Sequence, residues 1–83
     1  MSEAHAFHLT VASVGETRFD GLVRSLGAPG TDGVLTVLAH HEPIVTTLKA
    51  GDLVVQDIEN TKTVITISGG VLEVSHNRAV VLL

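Results

Sequence analysis

Residues 53–83 read LVVQDIENTKTVITISGGVLEVSHNRAVVLL, and this stretch decides the fold class. Four short runs of Val, Ile, Leu and Thr fall at 53–58, 63–68, 71–74 and 79–83, separated by polar or glycine breaks. Valine and isoleucine are stiff at the first side-chain torsion and fit pleated surfaces, so the runs favour strands. The polar residues 59–62 form a loop that pairs the first run with the second as a hairpin, and 75–78 do the same for the third and fourth. The closing Val80-Val81-Leu82-Leu83 is apolar on both strand faces. Such a strand is buried on both sides or covered by a second element.

The same period continues towards the start of the chain. Phe7, Leu9 and Val11 alternate with His8, Thr10 and Ala12, the pattern of a half-buried strand. A turn is expected at Gly15 and Glu16, then an extended stretch over 19–26 with a bulge or bend at Asp20 and Gly21. Residues 28–33, APGTDG, give the strongest loop signal in the chain. A short strand follows over 34–38, and Pro43 puts His40, His41 and Glu42 at a corner or edge. Residues 44–48 are extended, and 49–52 turn the chain again. No segment carries a long helical stripe. The spacing predicts an all-β chain in one domain, 1–83, built as a two-sheet sandwich or a flattened barrel.

Composition excludes several function classes. At 83 residues the chain is near the lower size limit for an unaided core. It has no cysteine, so neither a disulfide nor a thiolate is available. The formal charge of −4, without a basic cluster, gives no electrostatic footprint for nucleic acid. Phe7 and Phe19 are the only aromatic residues, too few to stack bases. Residues 1–6 carry Glu3 and His5 and no apolar run, so no signal peptide is visible. No stretch approaches the roughly 20 apolar residues of a membrane helix. A soluble protein is expected, with any membrane association made through a partner and no direct insertion.

Candidate chemistry is sparse. His40, His41 and Glu42 offer three ligand types in a row, but adjacent strand residues point to opposite faces. A catalytic zinc needs three convergent ligands and an open position, so no metal site is predicted. Ser13, Ser25, Ser68 and Ser75 lie in no nucleophile elbow. Ser68-Gly69-Gly70 lacks the helix and lysine of a phosphate loop, and its glycines read as a bend or a close backbone approach. Asp52, Asp57 and Glu59 read as a solvated face. No catalytic residue and no cofactor are expected. The large apolar share of so small a body points to a surface that meets another protein.

Several segments, in order, resemble the amino-terminal domain of the F-type ATP synthase epsilon subunit, called delta in mitochondria. His8-Leu9-Thr10-Val11 followed by Phe19-Asp20-Gly21-Leu22-Val23 resembles the family's opening. Ala28-Pro29-Gly30-Thr31-Asp32-Gly33 is similar to its A-P-G-x-x-G loop. The segment from Val37 to Thr46 resembles V-L-P-x-H-x-P-L-L-T, and Leu48-Lys49-Ala50-Gly51 matches L-x-x-G. Ser68-Gly69-Gly70-Val71-Leu72-Glu73-Val74 matches S-G-G-x-x-E-V, and Ala79-Val80-Val81-Leu82 the closing strand.

The resemblance implies a flattened two-sheet β-sandwich of about ten short strands. It implies a non-catalytic rotor subunit at the foot of the central stalk, binding the gamma subunit and the membrane rotor ring of c subunits. Such a subunit helps couple proton or sodium translocation to ATP synthesis, peripherally, at the cytoplasmic face of the bacterial inner membrane. Carried over by position, Ser13, His41, Thr46 and Ser68 would face gamma, and Thr31, Asp32 and Val34 the ring. Thr36, Ala39 and Val34 depart from the usual glycine, proline and acidic residue at those positions. Most bacterial members continue into a helical hairpin that can inhibit hydrolysis and, in some, bind ATP. This chain stops after the sandwich, as a natural short form or one cut before the hairpin, so no nucleotide binding is expected of it. Two other readings compete: a free-standing sandwich that binds another partner, and a small metalloenzyme using His40, His41 and Glu42.

Overall fold

The computed structural model describes residues 5–83, so most of the segment 1–6, from which the absence of a signal peptide is read, lies outside it. Six strands follow in order: β1 (Phe7–Ser13), β2 (Glu16–Gly30), β3 (Gly33–Leu38), β4 (Ile44–Asp57), β5 (Lys62–Ser75) and β6 (Arg78–Leu82). They form one sheet in the order β1-β6-β5-β4-β2-β3. A further pairing of β1 with β2 closes five of them into a barrel, with β3 laid along β2. Every ladder is antiparallel except β1 with β6, which is parallel. The body measures 35 × 24 × 20 Å. Its thinnest dimension suits two sheet layers about 10 Å apart with their outer side chains.

The all-β reading holds, but six strands replace the ten short ones expected, and two predicted breaks do not stop the pairing. Residues 49–52 stay inside β4, whose ladder to β5 runs from Ile44 to Gln56. Here Gly51 passes beneath Pro29, and a Cβ at Gly51 would lie 3.0 Å from the proline Cβ. The chain bends at Gly51 rather than turning. Gly69 and Gly70 likewise sit inside β5. A Cβ on Gly70 would stand 2.5 Å from the Leu82 carbonyl oxygen, so a bare backbone is needed where β5 presses on β6.

The predicted loop 28–33 also shrinks. Ala28, Pro29 and Gly30 belong to β2, and only Thr31 and Asp32 turn. The ladder of β2 to β4 skips from Gly27 to Gly30, so Pro29, which has no N–H, falls where no donor is required. The expected bulge near Asp20 lies two residues earlier, at Arg18, where Val11 pairs with Phe19 but Ala12 with Thr17.

The core is wholly apolar. Phe7, Leu9 and Val11 enter it from β1, Val23, Leu26 and Ala28 from β2, and Val37 from β3. Leu48, Leu53, Val55, Ile67, Leu72 and Val74 enter from β4 and β5, and Ala79 and Val81 from β6. No polar or charged residue is buried among the described residues. Each large side chain contributes about 1.5–3 kcal/mol on leaving water.

The tight β5–β6 approach gives a direct test. Gly70→Ala should lower unfolding free energy by about 1–3 kcal/mol through overpacking. Gly21→Ala, whose nearest neighbour is Phe19 Cε1 at 3.9 Å, should change it little. Urea melts of both variants measure the difference.

Candidate functional site

Among the described residues the polar and titratable side chains lie exposed or half-buried on the outside of the barrel. Register places two rows of outward residues side by side. One is Thr10, Val80, Glu73 and Val45, and the next is Ala12, Leu82, Val71 and Thr47. In these rows Val45 is 70% exposed, Leu82 55% and Val71 38%. With Ala12 and Val80 they make a largely apolar face on β1, β6, β5 and the first half of β4, interrupted by Glu73 and uncovered by any described residue. This settles the expectation for the closing strand: its inward side, Ala79 and Val81, is buried, while Leu82 faces outward and nothing within the described residues covers it. Thr31, at the β2–β3 turn, borders the face, its amide donating to the Thr47 carbonyl at 3.1 Å.

One end of the barrel gathers the β3–β4 loop, the start of β1 and the β5–β6 turn. That turn is His76 and Asn77, both at positive φ (52 and 56), the two-residue geometry that asparagine tolerates. Asn77 ties the three segments together. Its Nδ2 donates to the Ala6 carbonyl at 2.9 Å, and its Oδ1 accepts from the His40 amide at 2.7 Å. His40 itself holds φ at 62, a conformation maintained by that bond. Nearby on the outer face, His8 Nε2 donates to Asp20 Oδ1 at 2.7 Å, and Thr10 Oγ1 donates to the same oxygen at 3.2 Å. His8 Nδ1 is buried without a partner.

The expected site residues do not form one cluster. His41 lies in the β3–β4 loop, with Nδ1 2.7 Å from the Glu42 carbonyl oxygen. Ser13 and Ser68 sit at the other end of the apolar face, beside the end of β6. There Leu83 donates to the Ala12 carbonyl at 2.8 Å and Gly70 packs on Leu82. Thr46 lies between these ends on β4, on the inward side shared with Ile44 and Leu48, and is half-buried. Thr31 and Asp32 form the β2–β3 turn, and Val34 just beyond it is 81% exposed. His40, His41 and Glu42 do not converge: no group of three His, Cys, Asp or Glu able to hold a metal occurs among the described residues. Sequence reading missed Val45, Val71 and Leu82 as surface groups, although their strict alternation with buried neighbours was a signal. It treated Asn77 only as a turn residue, because its two bonds join residues far apart in the chain.

A closed five-stranded barrel with an apolar core and one uncovered apolar face defines a small all-β domain. The family described as ATP synthase, Delta/Epsilon chain, beta-sandwich domain, matches residues 6–83. The chain is 31% identical over 78 residues to the ATP synthase epsilon chain of Delftia acidovorans, covering 94% of this chain and 56% of that one. It is 42% identical over 72 residues to the epsilon chain of Psychrobacter cryohalolentis, covering 87% and 52%. A chain of the Euglena gracilis mitochondrial ATP synthase OSCP/F1/c-ring structure superposes with a TM-score of 0.87 at 27% identity, over 95% of this chain and 50% of that one. A chain of the Tetrahymena thermophila mitochondrial ATP synthase central stalk and c-ring structure shares the fold, with a TM-score of 0.76 at 17% identity, over 90% and 60%. This chain belongs to the ATP synthase delta/epsilon family, as its β-sandwich domain. It spans about half the length of the curated relatives it matches.

The asparagine tie can be tested by substitution. Asn77→Ala removes two hydrogen bonds and strains the turn, and should cost about 2 kcal/mol in a urea melt. Asn77→Gly restores the backbone freedom but not the bonds, so it should cost less than Ala and still more than nothing.

Proposed function

We propose that the chain is a non-catalytic rotor component of an F-type ATP synthase, docking onto the gamma subunit and resting against the membrane ring of c subunits. In that place it helps couple proton or sodium translocation to ATP synthesis carried out elsewhere in the complex. The uncovered face of Val45, Val71 and Leu82 carries the reading, since these side chains are 70%, 38% and 55% exposed and nothing among the described residues covers them. Apolar anchors within a polar rim are the ordinary anatomy of a docking site. Membership of the family and the likeness to a chain of the Euglena assembly support the choice of partners. Ser13, His41, Thr46 and Ser68 are proposed on the gamma side, and Thr31, Asp32 and Val34 on the ring side. The likeness to two bacterial epsilon chains supports a peripheral position at the cytoplasmic face of the inner membrane. No cofactor and no nucleotide enter this role.

Calorimetric titration with the gamma subunit of the same organism tests the reading. Binding is expected, weakened at least tenfold by Val45→Glu together with Val71→Lys in a protein whose melt is unchanged. A folded chain that ignores gamma would end the proposal. On the ring side, a cysteine placed at Val34 should cross-link to c subunits in membranes carrying the assembled enzyme, and one at the buried Val55 should not.

A further inference from the structure

Arg24 and His5 line a shallow cavity of about 360 Å³, whose remaining wall is Leu38 and Ala39. The cavity lies away from the apolar face, where β2, the end of β3 and the chain before β1 meet. Arg24 is half-buried, and its guanidinium is fixed by one edge: Nε and Nη2 both donate to the Ile58 carbonyl oxygen, at 3.4 and 3.3 Å. A guanidinium has five N–H donors in a rigid fork, so Nη1 and one Nη2 hydrogen remain for another acceptor. None of the described carboxylates takes them, since the one ion pair there is His8 with Asp20. Asp57, one residue from Ile58, is committed to its own turn, its Oδ1 accepting the Glu59 and Thr61 amides at 2.9 Å each. Glu42 lies in the neighbouring loop beside His40 and His41 and pairs with no cation among the described residues. An arginine whose outer edge no described residue claims, beside an imidazole that offers an N–H, suits an oxyanion. The apolar wall of Leu38 and Ala39 suits the methylene stem of an acidic side chain.

We propose that this cavity is a carboxylate-binding site that takes an Asp or Glu side chain of a partner polypeptide, with Arg24 as the fork and His5 as the second donor. The site goes beyond the rotor reading and is tested on this chain alone, so its failure would leave that reading standing. The probe is a blocked Gly-Glu-Gly tripeptide, titrated into the nitrogen-15-labelled chain at constant ionic strength, with sodium chloride and inorganic phosphate run in parallel. Saturable shifts at Arg24 Nε and at the amides of Leu38 and Ala39 are expected with the peptide and not with chloride. Arg24→Gln should abolish them, and His5→Ala should weaken binding severalfold, with the rest of the spectrum unmoved. If Arg24→Gln does not fold, Arg24→Lys decides: it keeps the charge but loses the fork, and at least a threefold loss of affinity is expected. Shifts that never saturate, that chloride reproduces, or that survive loss of the fork would overturn the site. Phosphate saturating more tightly than the peptide would overturn its assignment to carboxylate.

Discussion

Strand β1 is paired along both edges, antiparallel to β2 and parallel to β6, and the rest of the structure depends on those two ladders. Without β1, the run from β6 through β5 and β4 to β2 would be an open sheet, with its inner face in water. With it, Phe7, Leu9 and Val11 close the core, and each is 2% exposed or less. Closure also leaves few unpaired backbone groups for unwanted strand pairing, a hazard for a small all-β protein. The bend at Gly51 and the bare backbone at Gly70 let long strands pass from one layer to the other without interrupting this seal.

An interior that contains only apolar side chains has consequences for function. The described titratable side chains all lie outside it, exposed or half-buried. It can be close-packed and nearly incompressible, which suits a part that transmits force rather than transforming a substrate. What distinguishes this protein is therefore spread over its outside: an apolar face across four strands, a histidine-bearing end tied by Asn77, and an arginine cavity beside it. The apolar face lies apart from the other two, which adjoin where the end of β3 meets the chain before β1.

Much of the fold was legible in the sequence because the signals were local. Alternation in Phe7, Leu9 and Val11, the two polar hairpin loops, and the corner at Pro43 all reappear in the strands and turns observed. The strand count was not legible. Glycine and proline mark both turns and bends, and only contacts between distant residues distinguish them. Gly51 against Pro29 and Gly70 against Leu82 are such contacts. The same limit applied to the surface. Val45, Val71 and Leu82 become one patch only when β4, β5 and β6 are aligned. Asn77 becomes a tie only when Ala6 and His40 are brought to it.

The parallel pairing of β1 with β6 sets the first and last strands side by side, pointing the same way. Tension applied between the front of β1 and the back of β6 therefore slides one strand along the other. The rungs between His8–Arg78 and Ala12–Leu82 share that load at once instead of peeling apart in sequence. Such an arrangement acts as a shear clamp, and forced unfolding is governed by the height of its barrier rather than by equilibrium stability. Pulling single molecules by these two ends would register it as a high rupture force, and a low, stepwise unzipping would contradict it. Resistance to sideways drag is therefore set by this terminal pairing and not by the melting temperature.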